Sequence, residues 1–325
     1  MNIWRHTWTR KFLTVGGALL ALAAQAADPW PARPIKIVIP FSAGGVQDTL
    51  ARSISNELGA ALGQPVIVEN RPGAGGTLAT NFVAKSAPDG YTLILAAASH
   101  NINGTLYSKL SYDPVKDFVG AAYVGSTSYI MVVNASVPAK SVAEFVAYAK
   151  ARPGQLNYAT AGAGSATHLA MAYFNGMAGL DIVNIPTKGA GEAMFEVLSG
   201  RSQVMINANN VVLPFAKDAR VRMLGVTSEK ASPFVPGVEP MGAAVPGYVF
   251  DSWFGLLAPA GTPPDIVNKL NAEVTKLVKR PEIIERLHNQ GVEPGSMAKE
   301  AFAQLLRQDF ERMAKVVKTS GAKAD

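Results

Sequence analysis

The stretch Ile35 to Asp48, IKIVIPFSAGGVQD, limits the possible folds more than any other. Ile35, Ile37, Val38 and Ile39 form a nearly unbroken apolar run that ends at Pro40. A loop holding Ser42, Gly44 and Gly45 follows, and Leu50, Ile54, Leu58 and Leu62 then recur at every fourth position up to Gly63. Continuous rather than alternating apolarity marks a strand buried on both faces, the kind found in parallel sheets covered by helices. The four-residue stripe is one face of a helix that Gly63 stops. The pattern therefore predicts strand, tight turn, helix. In an open α/β sheet, ligands bind beyond the carboxyl ends of strands, where first helical turns offer unpaired N–H groups and a positive dipole end. This turn is a candidate anion site; the alternative is that Gly44 and Gly45 only relieve backbone strain in a βα turn.

Arg5, Arg10 and Lys11 precede an apolar run, Phe12 to Ala24, too short to span a bilayer, and Ala24-Gln25-Ala26 fits a cleavage site. A signal peptide over residues 1–26 is expected. Its removal takes three basic and no acidic residues from the formal charge of +6, leaving +3. The remaining Lys and Arg are scattered, which argues against nucleic acid as a partner. The chain has no cysteine, so an exported form must rely on a full-sized core and cannot carry a lipid anchor on a cleavage-site cysteine. A soluble periplasmic protein is expected.

At 325 residues, two domains are expected. From Ile35 to Val124 strands alternate with helices, which means βαβ units and parallel pairing. Ser99-His100-Asn101-Ile102-Asn103 reads as a polar loop at a strand's carboxyl end. A second α/β run begins near Tyr129 to Val133; it includes a capping box, Ser141-x-x-Glu144, and small-residue loops at Ala161 to His168 and Thr187 to Gly191. The chain then returns through Tyr248 to Leu257 into helices starting near Pro264, Pro281 and Ala298.

The usual catalytic signatures are missing. His100, His168 and His288 lack metal-ligand spacing, and neither a nucleophile elbow nor a phosphate loop occurs. Gly73-Ala74-Gly75-Gly76 resembles a dinucleotide fingerprint only superficially, since Leu78 stands where the third glycine belongs. Ser165 and His168, three apart at a helix start, make a poor catalytic pair; a cap or ligand contact is expected instead. Trp253 and Phe254 read as hinge-side core. No catalytic residue, metal or cofactor is expected. What remains is a two-lobed chain whose Gly/Ser/Thr/Asn-rich loops can hold carboxylates by hydrogen bonds.

Several long stretches carry a resemblance: PFSAGGVQD (Pro40 to Asp48), LGQPVIVENRPGAGGTLAT (Leu62 to Thr80), APDGYTL (Ala87 to Leu93), LSYDPVKDF (Leu110 to Phe118), PGQLNYATAGAGSATHLA (Pro153 to Ala170) and GLLAPAGTPPDIVNKLNAEV (Gly255 to Val274). With them the mature chain resembles the substrate-binding proteins of tripartite tricarboxylate transporters, the Bug family, over essentially its whole length. The resemblance implies an α/β, two-lobed periplasmic-binding-protein fold of type II, a Venus flytrap with a mostly parallel sheet in each lobe. It implies small carboxylate ligands (di- and tricarboxylates, acidic amino acids, aromatic acids) and membrane permease subunits as partners. Carried onto this chain, the ligand grip falls on Phe41 to Gln47, with Phe41, Ser42, Ala43, Gly44, Gly45 and Gln47 in the first loop and Asp48 supporting the turn. Ser99 and Asn101 follow in the next loop, and Gly164, Ser165, Thr167 and His168 in the second lobe. Two departures bear on the ligand. Thr187 stands where the family usually has Tyr, and Asn207 where it usually has an acid; Asn207 removes a negative charge and adds a donor, which favours a second carboxylate or a neutral polar group.

The combined expectation is a monomeric, non-enzymatic solute-binding protein with lobe 1 at 28–125 plus 252–325 and lobe 2 at 126–251. The rival readings are a ligand-sensing partner of a two-component receptor and a hydrolase or lyase using the same cleft.

Overall fold

The computed structural model describes residues 30–322; the expected signal peptide lies outside the described residues. The first unit forms as the pattern predicts: β1 (Ile35–Ile39) leads through a short turn into α1 (Val46–Leu62). Ile35, Ile37 and Ile39 join one core cluster together with Leu50, Ile54, Leu58 and Leu62, whereas Val38 joins the cluster on the opposite face. The apolar run is unbroken because both faces of the strand are covered. Each fully buried Leu or Ile contributes about 1.5–3 kcal/mol, so this one βα unit anchors the lobe.

The chain continues with β2 (Val66–Asn70), α2 (Thr77–Ala84), β3 (Thr92–Ala97), α3 (Ala98–Leu106), β4 (Phe118–Asn134), α4 (Val142–Lys150), β5 (Asn157–Thr160), α5 (Ala166–Ala178), β6 (Val183–Pro186), α6 (Ala190–Leu198) and β7 (Val204–Ala208). It ends with α7 (Asn209–Val212), β8 (Val221–Val226), β9 (Asp251–Pro259), α8 (Pro264–Leu277), α9 (Pro281–His288), β10 (Glu293–Pro294) and α10 (Lys299–Ser320). The strand order is β2-β1-β3-β9-β4-β7-β5-β6, with β8 and β10 also paired to β4.

β4 joins the two lobes. Its residues Phe118 to Ser128 pair with β9, and Tyr129 to Val133 pair with β7. The sequence reading begins a new strand near Tyr129; the structure shows one strand of 17 residues. The β2-β1-β3 and β6-β5-β7 pairs are parallel. β4 and β9 run antiparallel to each other and to β7 and β3, because one carries the chain out to the second lobe and the other brings it back. Each sheet is therefore mixed, with its parallel strands on the far side from the crossing.

The segment 99–103, expected as a loop, lies within α3. Its polar side chains are buried, and three of them find partners elsewhere in the chain: Asn101 Nδ2 donates to Leu306 O and Asp309 Oδ2 at 3.0 and 2.9 Å, Asn103 Nδ2 donates to Gly75 O at 2.9 Å, and His100 Nε2 lies 2.8 Å from Pro114 O. A polar run reads as a loop when the groups that satisfy it are far away in sequence. Trp253 is 4% exposed and donates through Nε1 to Asp309 Oδ2 at 2.7 Å, and Phe254 is fully buried, so both belong to the core. α10 touches both halves: Phe302 packs in a cluster with Val38 and Trp253, while Met313 and Val316 join the cluster built on Phe145, Leu169 and Phe174.

Candidate functional site

A cavity of about 370 Å³ opens where the β1–α1 turn faces the loops that precede α5 and α6. Its first wall is the stretch Phe41 to Asp48. Gly44 holds φ +85, a left-handed conformation suited to glycine, and Gly45 is the N-cap of α1. Asp48 fixes this turn. Its Oδ2 accepts the Gly44 N–H at 3.0 Å and its Oδ1 accepts Arg52 Nε at 2.9 Å. Arg52 also donates to Asn70 Oδ1 at 2.9 Å, and Asn70 Nδ2 donates to Phe41 O at 3.0 Å. Burial alone would raise the Asp48 pKa; the hydrogen bonds from Arg52, Gly44 and Asn70 outweigh it and hold the carboxyl below the usual range, hence charged. Gln47 Nε2 donates to Leu95 O at 2.7 Å, which ties the helix start to β3.

The opposite wall includes Ala161, Ser165 to Thr167, Lys188 to Glu192, Asn207, Ala208 and Val211. Ser165 caps α5 by accepting the His168 N–H at 3.2 Å. Its Oγ donates to Gly162 O at 2.7 Å and lies 2.9 Å from Thr167 Oγ1, which accepts the Ala161 N–H at 2.9 Å. A hydroxyl has one proton and two acceptor sites, so the Ser165 hydroxyl is saturated within its own loop. Its proton is committed to a carbonyl, as in a cap and unlike a nucleophile. α6 repeats the device of α1: Glu192 Oε2 accepts the N–H of Lys188, four residues back, at 2.9 Å. Asn207 is 1% exposed; its Nδ2 donates to Ala190 O at 3.2 Å and its Oδ1 accepts the Ala208 N–H at 2.8 Å. Tyr129, the first β4 residue paired to β7, lines the cavity between the walls, and burial pushes its hydroxyl up to about 12, so it stays neutral.

The N-termini of α1, α5 and α6 thus meet at one cavity. The first N–H groups of each helix have no partner inside it, and the dipoles add positive potential there. Of the residues expected from sequence, Phe41, Ser42, Ala43, Gly44, Gly45, Gln47, Asp48, Ser165, Thr167 and Asn207 line this cavity. Ser99, Asn101, Gly164, His168 and Thr187 do not. Ser99 and Asn101 are buried in α3, and His168 Nδ1 accepts the Gly164 N–H at 3.3 Å and borders a different cleft. Thr187 turns inward and donates to Thr160 O at 2.8 Å. Tyr129, Ala166, Lys188, the start of α6 and Val211 are wall residues the sequence reading missed. The Thr187 to Gly191 loop carries the small-residue signature used for the first turn, and that signature extended to Ala190 and Gly191 would have found this part.

A cavity between two mixed α/β lobes, fed by helix N-termini at strand ends, is the architecture of periplasmic binding proteins. The comparisons agree. Residues 50–322 match the family described as "Tripartite tricarboxylate transporter family receptor". Protein BugT of Bordetella pertussis is 34% identical over 320 residues, covering 96% of this chain and 98% of its own. Among solved structures, R. palustris Rpa4515 with adipate superposes with TM-score 0.86 at 33% identity, covering 90% of this chain and 99% of that one. MatC from Rhodopseudomonas palustris with bound malate gives 0.82 at 33% identity, over 88% and 99%. The chain belongs to the tripartite tricarboxylate transporter receptor family, a family of solute-binding proteins.

Proposed function

We propose that this chain is a periplasmic receptor that captures a small di- or tricarboxylate, or an aromatic acid, between lobe 1 (residues 28–125 and 252–325) and lobe 2 (126–251), with α10 strapped across both. The observation that carries the reading is the meeting of the α1, α5 and α6 N-termini at one cavity, which supplies backbone N–H donors for carboxylate oxygens. The malate and adipate bound by two relatives are ligands of that class. In this reading Phe41 to Gln47 and the first turns of α5 and α6 hold the ligand, Asp48 and Ser165 hold those turns, and Ser99, Asn101 and His168 stay in supporting roles. The receptor is exported by its signal peptide, works as a monomer, performs no chemistry on its ligand and hands it to membrane permease subunits.

The test is a thermal-shift screen of the mature protein against malate, adipate, citrate, aromatic acids and amino acids. A ligand present at a hundredfold over its dissociation constant adds about 2.7 kcal/mol to the folded state. A raised midpoint with one of the acids supports the reading. A protein shown by mass spectrometry to be ligand-free, and shifted by none of the acids, would sink it.

A further inference from the structure

The loop between β2 and α2 is strained. Ala74 holds φ +47, and Gly73, Gly75 and Gly76 are also positive at 134, 62 and 97°. A non-glycine residue in this region persists only where its surroundings over-determine it. Here Asn103 Nδ2 on α3 donates to Gly75 O at 2.9 Å, and Thr80 Oγ1 donates to Gly76 O at 2.9 Å. The strained loop presses its bare backbone against the loop that precedes α5. A methyl group at Gly75 would stand 2.6 Å from Ala163 O, and one at Gly164 would stand 2.8 Å from Asn103 Oδ1 and 3.1 Å from the Tyr107 ring. At Gly75 the neighbour is a backbone carbonyl, so the loops themselves must part to admit a methyl group; at Gly164 the Asn103 side chain must shift and the Tyr107 ring must give by a few tenths of an ångström. The two loops also back onto the cavity walls: a methyl at Gly76 would lie 3.6 Å from the Phe41 ring, and Gly164 immediately precedes Ser165.

We propose that Gly73 to Gly76 and Gly162 to Gly164 form an interlobe clasp, in which Gly75 and Gly164 are positioning residues that let the backbones of the two lobes approach far enough to bring the cavity walls together. This rests on the reading above that the ligand is captured between the two lobes, and adds that the lobes move relative to each other. Gly75 meets the Ala163 carbonyl and the Gly164 backbone, and Gly164 meets the Asn103 and Tyr107 side chains of α3 and its C-cap, so an added carbon at either wedges the contact and shifts the population toward an open form. Apparent affinity then falls in proportion to the closed fraction.

The chain has no cysteine, so Lys116→Cys and Lys140→Cys, at exposed positions on either side, allow spin labels to be placed uniquely. The interlobe distance distribution of the ligand-free, full mature chain is then measured by pulsed electron resonance, which needs no knowledge of the ligand. Gly75→Ala and Gly164→Ala are each expected to move the distribution to longer distances. Gly179→Ala is the control: its φ is +63 but nothing lies within 4 Å of an added methyl, so it is expected to lower stability and leave the distances unchanged. Should neither wedge variant fold, Asn103→Ala, which adds no atom and cuts the tie to Gly75 O, is expected to lengthen the distances by a smaller amount. Wild-type distances in the wedge variants, or in Asn103→Ala where it stands in for them, or an equal shift in Gly179→Ala, would overturn the clasp. A failed ligand screen with an intact distance shift would count against carboxylate capture and not against the clasp.

Discussion

The two walls of the cavity share one local plan, a strand, a small-residue turn and a helix N-terminus, but they are braced over different ranges. The first wall reaches further along the chain: Asp48 holds Gly44 and Arg52, four residues to either side, but Arg52 in turn bonds Asn70 on β2 and Gln47 bonds Leu95 on β3. It exists only once β1 lies between β2 and β3. Much of the second wall is braced by its own loops, with Ser165 and Thr167 bonded to Gly162 and Ala161, and Glu192 to Lys188. The first wall should therefore behave as a rigid jaw coupled to the core of its lobe, and the α5 and α6 turns as units that tolerate local change.

Removing the carboxylate at the centre of the first wall gives the sharpest test of this contrast. Asp48→Ala leaves the Gly44 N–H and the Arg52 guanidinium without their partner. A stability loss of about 1–3 kcal/mol is expected in denaturant titration. Calorimetric affinity for the best acid from the screen should fall by about tenfold or more, equivalent to about 1.4 kcal/mol. Unchanged affinity would mean that the long-range brace does not shape the grip.

Asn207→Asp should have a middling effect. Its Nδ2 donates to Ala190 O at 3.2 Å, so the substitution turns an attraction into a repulsion and adds a negative charge to a cavity that Glu192 also lines. A loss of about 1 kcal/mol or more in dicarboxylate binding is expected. If isothermal titration gives the same affinity for both forms, residue 207 is not reading the ligand's charge.

Ser165→Ala should have the smallest effect on binding. A Ser165 hydroxyl that met the ligand carboxylate would contribute about 1 kcal/mol or more of binding, whereas the sequence leaves a plain helix cap equally open. The saturated hydroxyl seen here points instead to a loss of about 1 kcal/mol of stability as a helix cap, with affinity changed less than threefold. A tenfold loss of affinity at unchanged stability would show the hydroxyl turning to the ligand and would break the contrast between the walls.

How much of this could be read in advance depended on the range of the forces involved. The β1–α1 unit was legible because Ile35 to Ile39 and the Leu50 to Leu62 stripe meet a nearby core that any α/β packing supplies. The Ser141 cap on α4 was legible too, since its Oγ accepts the Glu144 N–H three residues away. α3 was not. Asn101 bonds to Leu306 and Asp309, more than 200 residues on, and no local pattern announces a polar helix whose partners lie on α10. The continuity of β4 was equally hidden, because Gly125, Ser126, Thr127 and Ser128 look like a turn until β9 and β10 pair with them. In the site, the loops at strand ends were visible as small-residue runs, but not which side chains face the cavity.

By itself the sequence determined the alternation of strands and helices, the buried central strands and the placing of small-residue turns before helices. These follow from apolar periodicity and backbone preference, which act within a few residues. Only the tertiary structure decided that α1, α5 and α6 begin at one cavity, that the hydroxyl of Ser165 is spent on its own loop, and that α10 packs against both lobes. Those outcomes depend on which distant groups arrive to satisfy a donor or fill a face, and chain order does not encode that locally.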